Sequence, residues 1–362
     1  ETIDDYLAYR LIPPGYELWH HMGLYQRDLN SYDEEAIIDN QQTDHNCMNC
    51  HSFRMHAPDD MLFHMRSTYG GTYVWTNGVL EKLDGKVSDA IQSLVYPYWH
   101  PSGDYVAFST NQTKQMFHMK DKNRIEVFDM SSDVLVYDVK NHRVVTDSLL
   151  FSKQAFETFP SFSPDGKTLY FSSSVAQKMP IDYKKVKYNI CSISFDAETG
   201  RFGTQVDTLF SVEQTGKTGT FPRVSPDGKF LAFTEADYGN FTIWHKEADL
   251  CLIDLKTKEI KSLDALNSLE AESYHAWSSN GRWLVFASRR DDGLYSRPYI
   301  AYIDEEGTPH KAFVVPQASP DAYLDGLKSY NVPEFITGPV NLQRKAVVEM
   351  AKHGQAKKVT AQ

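Results

Sequence analysis

Cys47-Met48-Asn49-Cys50-His51 gathers two thiols and an imidazole into five consecutive positions. Thiols three residues apart can each add to one vinyl group of a porphyrin. The residue after the second thiol is then delivered to the iron as an axial ligand, so the order matches the attachment sequence for c-type haem. With 4 Cys and 13 His in 362 residues, chance yields roughly 0.002 such pentapeptides. Two other chemistries use the same spacing: half of a zinc site, and a redox dithiol or disulfide. A closed zinc site needs four ligands, usually from a second Cys or His pair, and the remaining cysteines, Cys191 and Cys251, are isolated from each other. The expectation is one covalent haem c held through Cys47 and Cys50, with His51 as axial ligand.

The elements that must position these residues repeat along the chain. Phe159-Pro160-Ser161-Phe162-Ser163-Pro164-Asp165-Gly166-Lys167 returns as Phe221-Pro222-Arg223-Val224-Ser225-Pro226-Asp227-Gly228-Lys229. Tyr96-Pro97-Tyr98-Trp99 leading to Gly103, and Tyr274-His275-Ala276-Trp277 leading to Gly281, are looser copies. In the Pro-Asp-Gly turn proline sets φ, aspartate bonds nearby backbone and glycine accepts positive φ. Apolar runs on either side predict an inner hairpin, and segments such as Asp133–Asp138 and Asp249–Asp254 begin an outer one. Four strands per unit, with turn glycines 63, 62 and 53 residues apart, is the pattern of a β-propeller blade.

The cysteine motif falls on the same grid, Cys50-His51-Ser52-Phe53 standing where Phe159-Pro160-Ser161-Phe162 stands later. That makes five units. Tyr16-Glu17-Leu18-Trp19 and Leu24-Tyr25-Gln26 read as an outer pair without an inner one; Asn331-Val332-Pro333-Glu334-Phe335 reads as an inner strand without an outer pair. The expected fold is therefore all-β, a six-bladed propeller whose sixth blade is composite, with residues 12–30 pairing with the strand around Pro333. Residues 1–340 form the single propeller domain, and residues 341–362 a C-terminal helix and tail. A short helix is predicted through Leu324 and Leu327, and an amphipathic one between Asn341 and His353, with Lys357-Lys358-Val359-Thr360 as a frayed tail. Residues 112–130 and 176–187, rich in Lys and Met, read as solvent-exposed loops.

A net charge of −11 argues against nucleic acid as a partner. No run approaches the roughly 18 apolar residues of a membrane span. The chain opens on Glu1 without an initiator methionine, consistent with loss of a targeting segment or lipid anchor. A covalently attached haem implies maturation outside the cytoplasm. The expected location is thus periplasmic or otherwise extracytoplasmic, with membrane tethering through such an anchor.

The Pro-Asp-Gly repeats resemble those of TolB-like propellers, which have six blades. Taken with the Cys-x-x-Cys-His-Ser-Phe run at 47–53 and the stretch from Tyr274 to Asp292, the chain resembles a bacterial extracytoplasmic family joining such a propeller to one haem. The resemblance covers most of the chain and implies fold and cofactor rather than a role.

The second axial ligand is expected from the repeat grid. His51 occupies the position of Pro97, Pro160, Pro222 and Pro333, and only the fifth unit also has histidine there, His275. Met55, His56 and His45 are nearer in sequence and stand as alternatives, as does an open iron position. Arg289 and Arg297 are candidates for the haem propionates; a salt-bridge cluster with Asp291 and Asp292 is the competing reading. His20-His21, His64-Met65, Trp99, Trp277 and Trp283 read as packing residues. No nucleophile elbow or phosphate loop is present, so no catalytic residue is expected. Electron transfer to a redox partner protein leads; an envelope-protein binding or scaffold module with structural or sensory haem, and a haem enzyme with an open iron site, follow.

Overall fold

The computed structural model describes residues 2–13 and 20–362. Six antiparallel meanders of four strands are arranged as propeller blades. Blade 1 runs Met48–Phe53, Met61–Met65, Gly71–Thr76 and Val79–Asp84; blade 2 runs Val95–Trp99, Tyr105–Phe117, Ile125–Asp138 and Arg143–Val145. Blades 3, 4 and 5 begin with Ala155–Phe162, Thr218–Val224 and Glu272–Trp277. Blade 6 takes its innermost strand, Ser329–Ile336, from the C-terminal part of the chain. Its other three, Tyr6–Ile12, Gly23–Asp28 and Glu34–Asp39, come from the beginning. The composite blade is therefore present, but the strand beside Ser329–Ile336 is Tyr6–Ile12, paired from Tyr6 with Ile336 to Ile12 with Ser329, and not one within residues 12–30. The expected strand at Tyr16–Trp19 lies outside the described residues.

The core is divided among the interblade gaps. Leu135, Tyr137, Leu62 and Val74 pack between blades 1 and 2; Leu169, Phe171, Ala107 and Val136 pack between blades 2 and 3. Leu7, Tyr9, Val285 and Ile300 seal blade 5 against blade 6. Period-two alternation turns one face of each sheet to each neighbour, which is why apolar residues fill both faces of the second and third strands. The Ser-Pro-Asp-Gly turns close through their own side chains. Ser163 Oγ donates to Asp165 at 2.6 Å and accepts the Thr168 N–H at 3.0 Å, and Gly166 takes φ 73°. A Cβ on Gly166 would stand 2.2 Å from the His100 ring of blade 2, so this glycine also permits the blades to meet.

Two expectations are corrected. Residues 112–130 are no loop: the second and third strands of blade 2 continue past the sheet as a hairpin arm, in ladder from Thr113–Asp129 to Phe117–Ile125. Within the arm Glu126, Phe128 and Asp129 are buried. The tail does not fray either. Lys357–Lys358 adds in parallel to Leu83–Asp84 of blade 1, and Thr360–Ala361 to Arg143–Val144 of blade 2. Val359, between them, is fully buried in the gap. Three α-helices are present among the described residues: the single turn Val212–Thr215, and the two at Ala322–Gly326 and Arg344–His353, the last burying Val347 and Ala351 against blades 6 and 1. Residues 176–187 hold one short 3-10 turn, Tyr183–Lys185, with Val186 buried.

Candidate functional site

Each innermost strand breaks its ladder at the same place. The register shifts between Asn49 and Ser52, Val95 and Tyr98, Thr158 and Ser161, Thr220 and Arg223, and Ser273 and Ala276. In blade 6 it shifts opposite Ala8 and Arg10. The first residue of each bulge has positive φ: Cys50 53°, Tyr96 50°, Phe159 52°, Phe221 55°, Tyr274 53° and Val332 49°. The second is Pro97, Pro160, Pro222 or Pro333, with His51 and His275 in the two exceptions. A bulge leaves a backbone N–H out of the ladder, so proline is tolerated there, and so is any residue whose side chain the channel can use.

Four of the bulge residues are aromatic and pack around the channel. Tyr96 meets Phe159 with ring centroids 4.9 Å apart, Phe159 meets Phe221 at 3.8 Å, and Phe221 meets Tyr274 at 5.0 Å. Blades 1 and 6 contribute only Cys50 and Val332. The space left beside these smaller side chains is a cavity of about 350 Å³, within the range of clefts that hold small molecules and cofactors. Cys47, Cys50, His51 and His275 all line it, with Arg10, Arg66, Arg223, Trp244 and Glu334. Thr113, Lys114 and Val127 of the hairpin arm close part of its wall.

Both histidines are neutral near pH 7. Burial lowers the pKa of His51 to about 4, against the pull of the Val332 carbonyl, which lies close without hydrogen-bond geometry. Burial, with help from Arg223, lowers His275 to about 3. His275 Nε2 stands 3.0 Å from the Ala232 carbonyl and must carry the proton to bond it, leaving Nδ1 with an unshared pair and no partner. Neither ring nitrogen of His51 has a partner; the nearest acid, Glu334, lies 4.0 Å from Nε2. Burial raises Glu334 to about 8, with Arg223 opposing, so it is largely protonated at neutral pH. An imidazole buried with both nitrogens unsatisfied costs on the order of 1–3 kcal/mol, which a ligand on either nitrogen would offset. Burial raises the Cys50 thiol pKa, so at rest it is a thiol rather than a thiolate.

The other sequence candidates are elsewhere. Met55 and His56 line a separate chamber at the turn end of the channel, with Pro101, Pro164 and Pro226. Met55 is half exposed, and His56 Nδ1 is bonded to the Phe335 carbonyl at 3.0 Å. His45 stacks on His20 and bonds its carbonyl at 2.8 Å, in an exposed turn. Arg297 is held by Asp291 and Asp292, each at 2.9 Å, and so sits in the salt-bridge cluster weighed against a propionate role. Arg289 is buried over the Trp244 ring at 4.1 Å, its Nε without a partner. Arg10, Arg66, Arg223 and Glu334 carry no sequence signal of their own; only the recurrence of the bulge position, which marks Val332-Pro333 as channel-facing, pointed toward Glu334.

The residue types fit a covalently attached haem: two thiols, an imidazole with neither nitrogen bonded, and a second imidazole with Nδ1 unbonded all line one cavity with Tyr96, Phe221, Trp244 and Tyr274. Among the described residues no three His, Cys, Asp or Glu side chains converge as a metal-binding group. A zinc ion at Cys47 and Cys50 would therefore lack the further side-chain donors of a closed site, whereas a porphyrin brings four nitrogens of its own. Among the described residues no helix is long and apolar enough to cross a membrane.

No protein-family model matches the chain, and no curated protein matches it in sequence. Among solved structures it is similar to a TolB from Agrobacterium tumefaciens, at 13% identity and TM-score 0.48, over 87% of this chain and 90% of that one. It is also similar to an oligogalacturonate lyase from Vibrio parahaemolyticus, at 11% identity and TM-score 0.41, over 79% and 85%. A puromycin-hydrolysing peptidase from Mycobacterium tuberculosis gives 13% identity and TM-score 0.44, over 82% of this chain but 42% of the peptidase. The six sheets and their repeated bulge make this chain an all-β, six-bladed propeller.

Proposed function

We propose that this chain is a c-type cytochrome on a propeller scaffold, passing single electrons to a redox partner protein outside the bacterial cytoplasm. When bound, the haem would supply a one-electron iron couple. Cys47 and Cys50 would hold it through thioether bonds, His51 would be an iron ligand, and His275, whose Nδ1 has no partner, would be the candidate for a second. Burial keeps both imidazoles unprotonated, so each lone pair is available across the physiological pH range. Tyr96, Phe221 and Tyr274 give the cavity an aromatic wall, and Thr113 and Val127 of the arm complete part of its lining. The single observation that carries this reading is His51: a buried imidazole with both nitrogens unsatisfied, one residue from a thiol on the wall of a ligand-sized cavity.

The test is production of the full chain with a haem-attachment system, followed by acidic organic extraction. Haem is expected to stay on the polypeptide with a Soret band, one per chain, and Cys47→Ala with Cys50→Ala should abolish retention. A matured protein that binds zinc and shows no Soret band would overturn the proposal.

A further inference from the structure

We infer that the hairpin arm of blade 2 and the adjoining segment 176–187 form a docking surface for an anionic lipid membrane. Apolar side chains scattered singly over a surface are ordinary, whereas a group of them at one place marks a contact. Among the described residues the six most exposed large apolar side chains are Met119, Leu269, Val175, Ile181, Phe117 and Leu294, from 89% down to 66%. All six stand at one end of the blades, where second strands finish and innermost strands begin, opposite the Pro-Asp-Gly turns. Four of them belong to the arm or to the chain leaving blade 3 at the end of its second strand, Thr168–Val175. These two pieces are fastened together. His118 stacks on Tyr183, and its Nε2 lies 3.2 Å from the Tyr183 hydroxyl. Lys184 pairs with Asp121 at 2.6 Å. Alternate residues of an extended chain point to opposite sides, so turning His118 toward Tyr183 leaves Phe117 and Met119 facing outward.

Positive charge is concentrated at the same place. Residues 112–130 and 176–187 carry eight Lys or Arg against four Asp or Glu, and two of those acids, Glu126 and Asp129, are buried. The whole chain has the opposite balance, 37 against 48. Lys114, Lys120, Arg124 and Lys178 are exposed. None of the four has a carboxylate within salt-bridge distance among the described residues, unlike Lys122, Lys184 and Lys185. Lysine is depleted where proteins contact one another. The boundary of a bilayer favours the combination seen here: apolar tips enter the headgroup layer, while long lysine stems keep their ammonium groups at the lipid phosphates. An acidic chain that gathers unpaired cations beside its most exposed apolar side chains is matched to an anionic bilayer. This surface does not depend on what fills the cavity.

The experiment is co-sedimentation of the full chain with vesicles of equal parts phosphatidylglycerol and phosphatidylcholine, and with vesicles of phosphatidylcholine alone. Binding to the anionic vesicles is expected to be at least about tenfold tighter, and to weaken as salt is raised. Phe117→Ser with Met119→Ser should weaken it about tenfold, whereas leucine at both positions should keep it within about twofold. Lys120→Gln with Lys178→Gln should also weaken it about tenfold. Val79→Ser, at an exposed position beside a turn at the other end of blade 1, should change nothing. The substituted side chains are exposed, so the variants should melt as wild type does; if the serine pair melts early, Ile181→Ser carries the same test. Failure of wild type to sediment, equal binding to both kinds of vesicle, or unchanged binding of the serine pair overturns the inference. A loss confined to the glutamine pair overturns it too, and makes the arm a contact for an acidic protein instead. Because vesicle binding is read without haem, a missing Soret band defeats the cytochrome reading and leaves this one standing.

Discussion

Two buried imidazoles lining one cavity differ in what their surroundings leave free. His275 spends Nε2 on the Ala232 carbonyl and keeps Nδ1; His51 keeps both nitrogens. In haem-loaded protein His275→Ala is expected to convert a low-spin spectrum to high-spin with the haem still attached. An unchanged low-spin spectrum would remove His275 as a ligand. Elsewhere Glu157 offers a test independent of any cofactor. Burial, reinforced by Asp133, raises its carboxyl from 4.5 to about 8. The folded chain then holds a proton that the unfolded chain has released between those values, so this group's stabilising effect is greatest below pH 4.5 and is lost as pH rises toward 8. Glu157→Gln should leave melting unchanged near pH 4.5 and gain on the order of 2 kcal/mol at pH 8 relative to wild type. Equal effects at both pH values would count against a buried, protonated Glu157. The cysteine-histidine run could be read from sequence because its chemistry is local. Arg10, Arg66 and Glu334 could not: Arg10 and Glu334 come from opposite ends of the chain through the composite blade, and Arg66 follows a strand whose residues carry no pattern of their own. Met55 and His56, four and five residues from His51, lie in the other chamber because the strand carries the chain away from the cavity before they occur.

At the scale of the element, the bulge explains why a sequence grid could pair His51 with His275. One left-handed residue recurs in every inner strand, and alignment by Pro-Asp-Gly turns locates it without any structural knowledge. The hairpin arm escaped the same logic. Its strands face solvent and other blades' insertions rather than an interblade gap, so Lys114 to Lys122 shows no clean alternation. What holds the arm down is polar. Glu126 is buried against His245 at 2.8 Å and accepts the Tyr238 hydroxyl at 2.7 Å, and Asn240 donates to Asp129 at 2.6 Å. Removing one member of a buried pair strands the other, at about 3 kcal/mol. His245→Ala is therefore expected to lower stability by about that much and to speed hydrogen exchange selectively in residues 114–128. Uniform acceleration across all six blades would show that the arm is not separately latched.

The whole molecule is closed twice. Tyr6–Ile12 pairs with Ser329–Ile336 inside blade 6, and the final residues bridge the outer edges of blades 1 and 2. The composite blade was legible because unpaired half-units stood at both ends of a repeat. The bridge was not, since two-residue strands around one valine carry no periodic signal. Deleting residues 2–12 should expose the facing edges of Ser329–Ile336 and Gly23–Asp28 within blade 6 and produce aggregation; a monomer with unchanged melting would refute closure through that strand. Val359→Ala should cost about 2 kcal/mol, the loss of two fully buried methyl groups and the cavity they leave. Its effect on exchange should concentrate in strands Val79–Asp84 and Arg143–Val145.

Closure through Ser329–Ile336 also sets a schedule. The inner strand of blade 6 ends at Ile336, 285 residues after His51 (336 − 51). At about 5–20 residues per second, a chain emerging from its N-terminus has an open ring for roughly 15 to 60 s after the cysteine pair appears. Throughout that interval the wall later formed by Asn331 to Glu334 is missing, and the thiols of Cys47 and Cys50 face an unwalled blade. An enzyme acting on them in that interval would meet an accessible strand rather than a sealed channel, and Ser329–Ile336 would then close over any group it had attached.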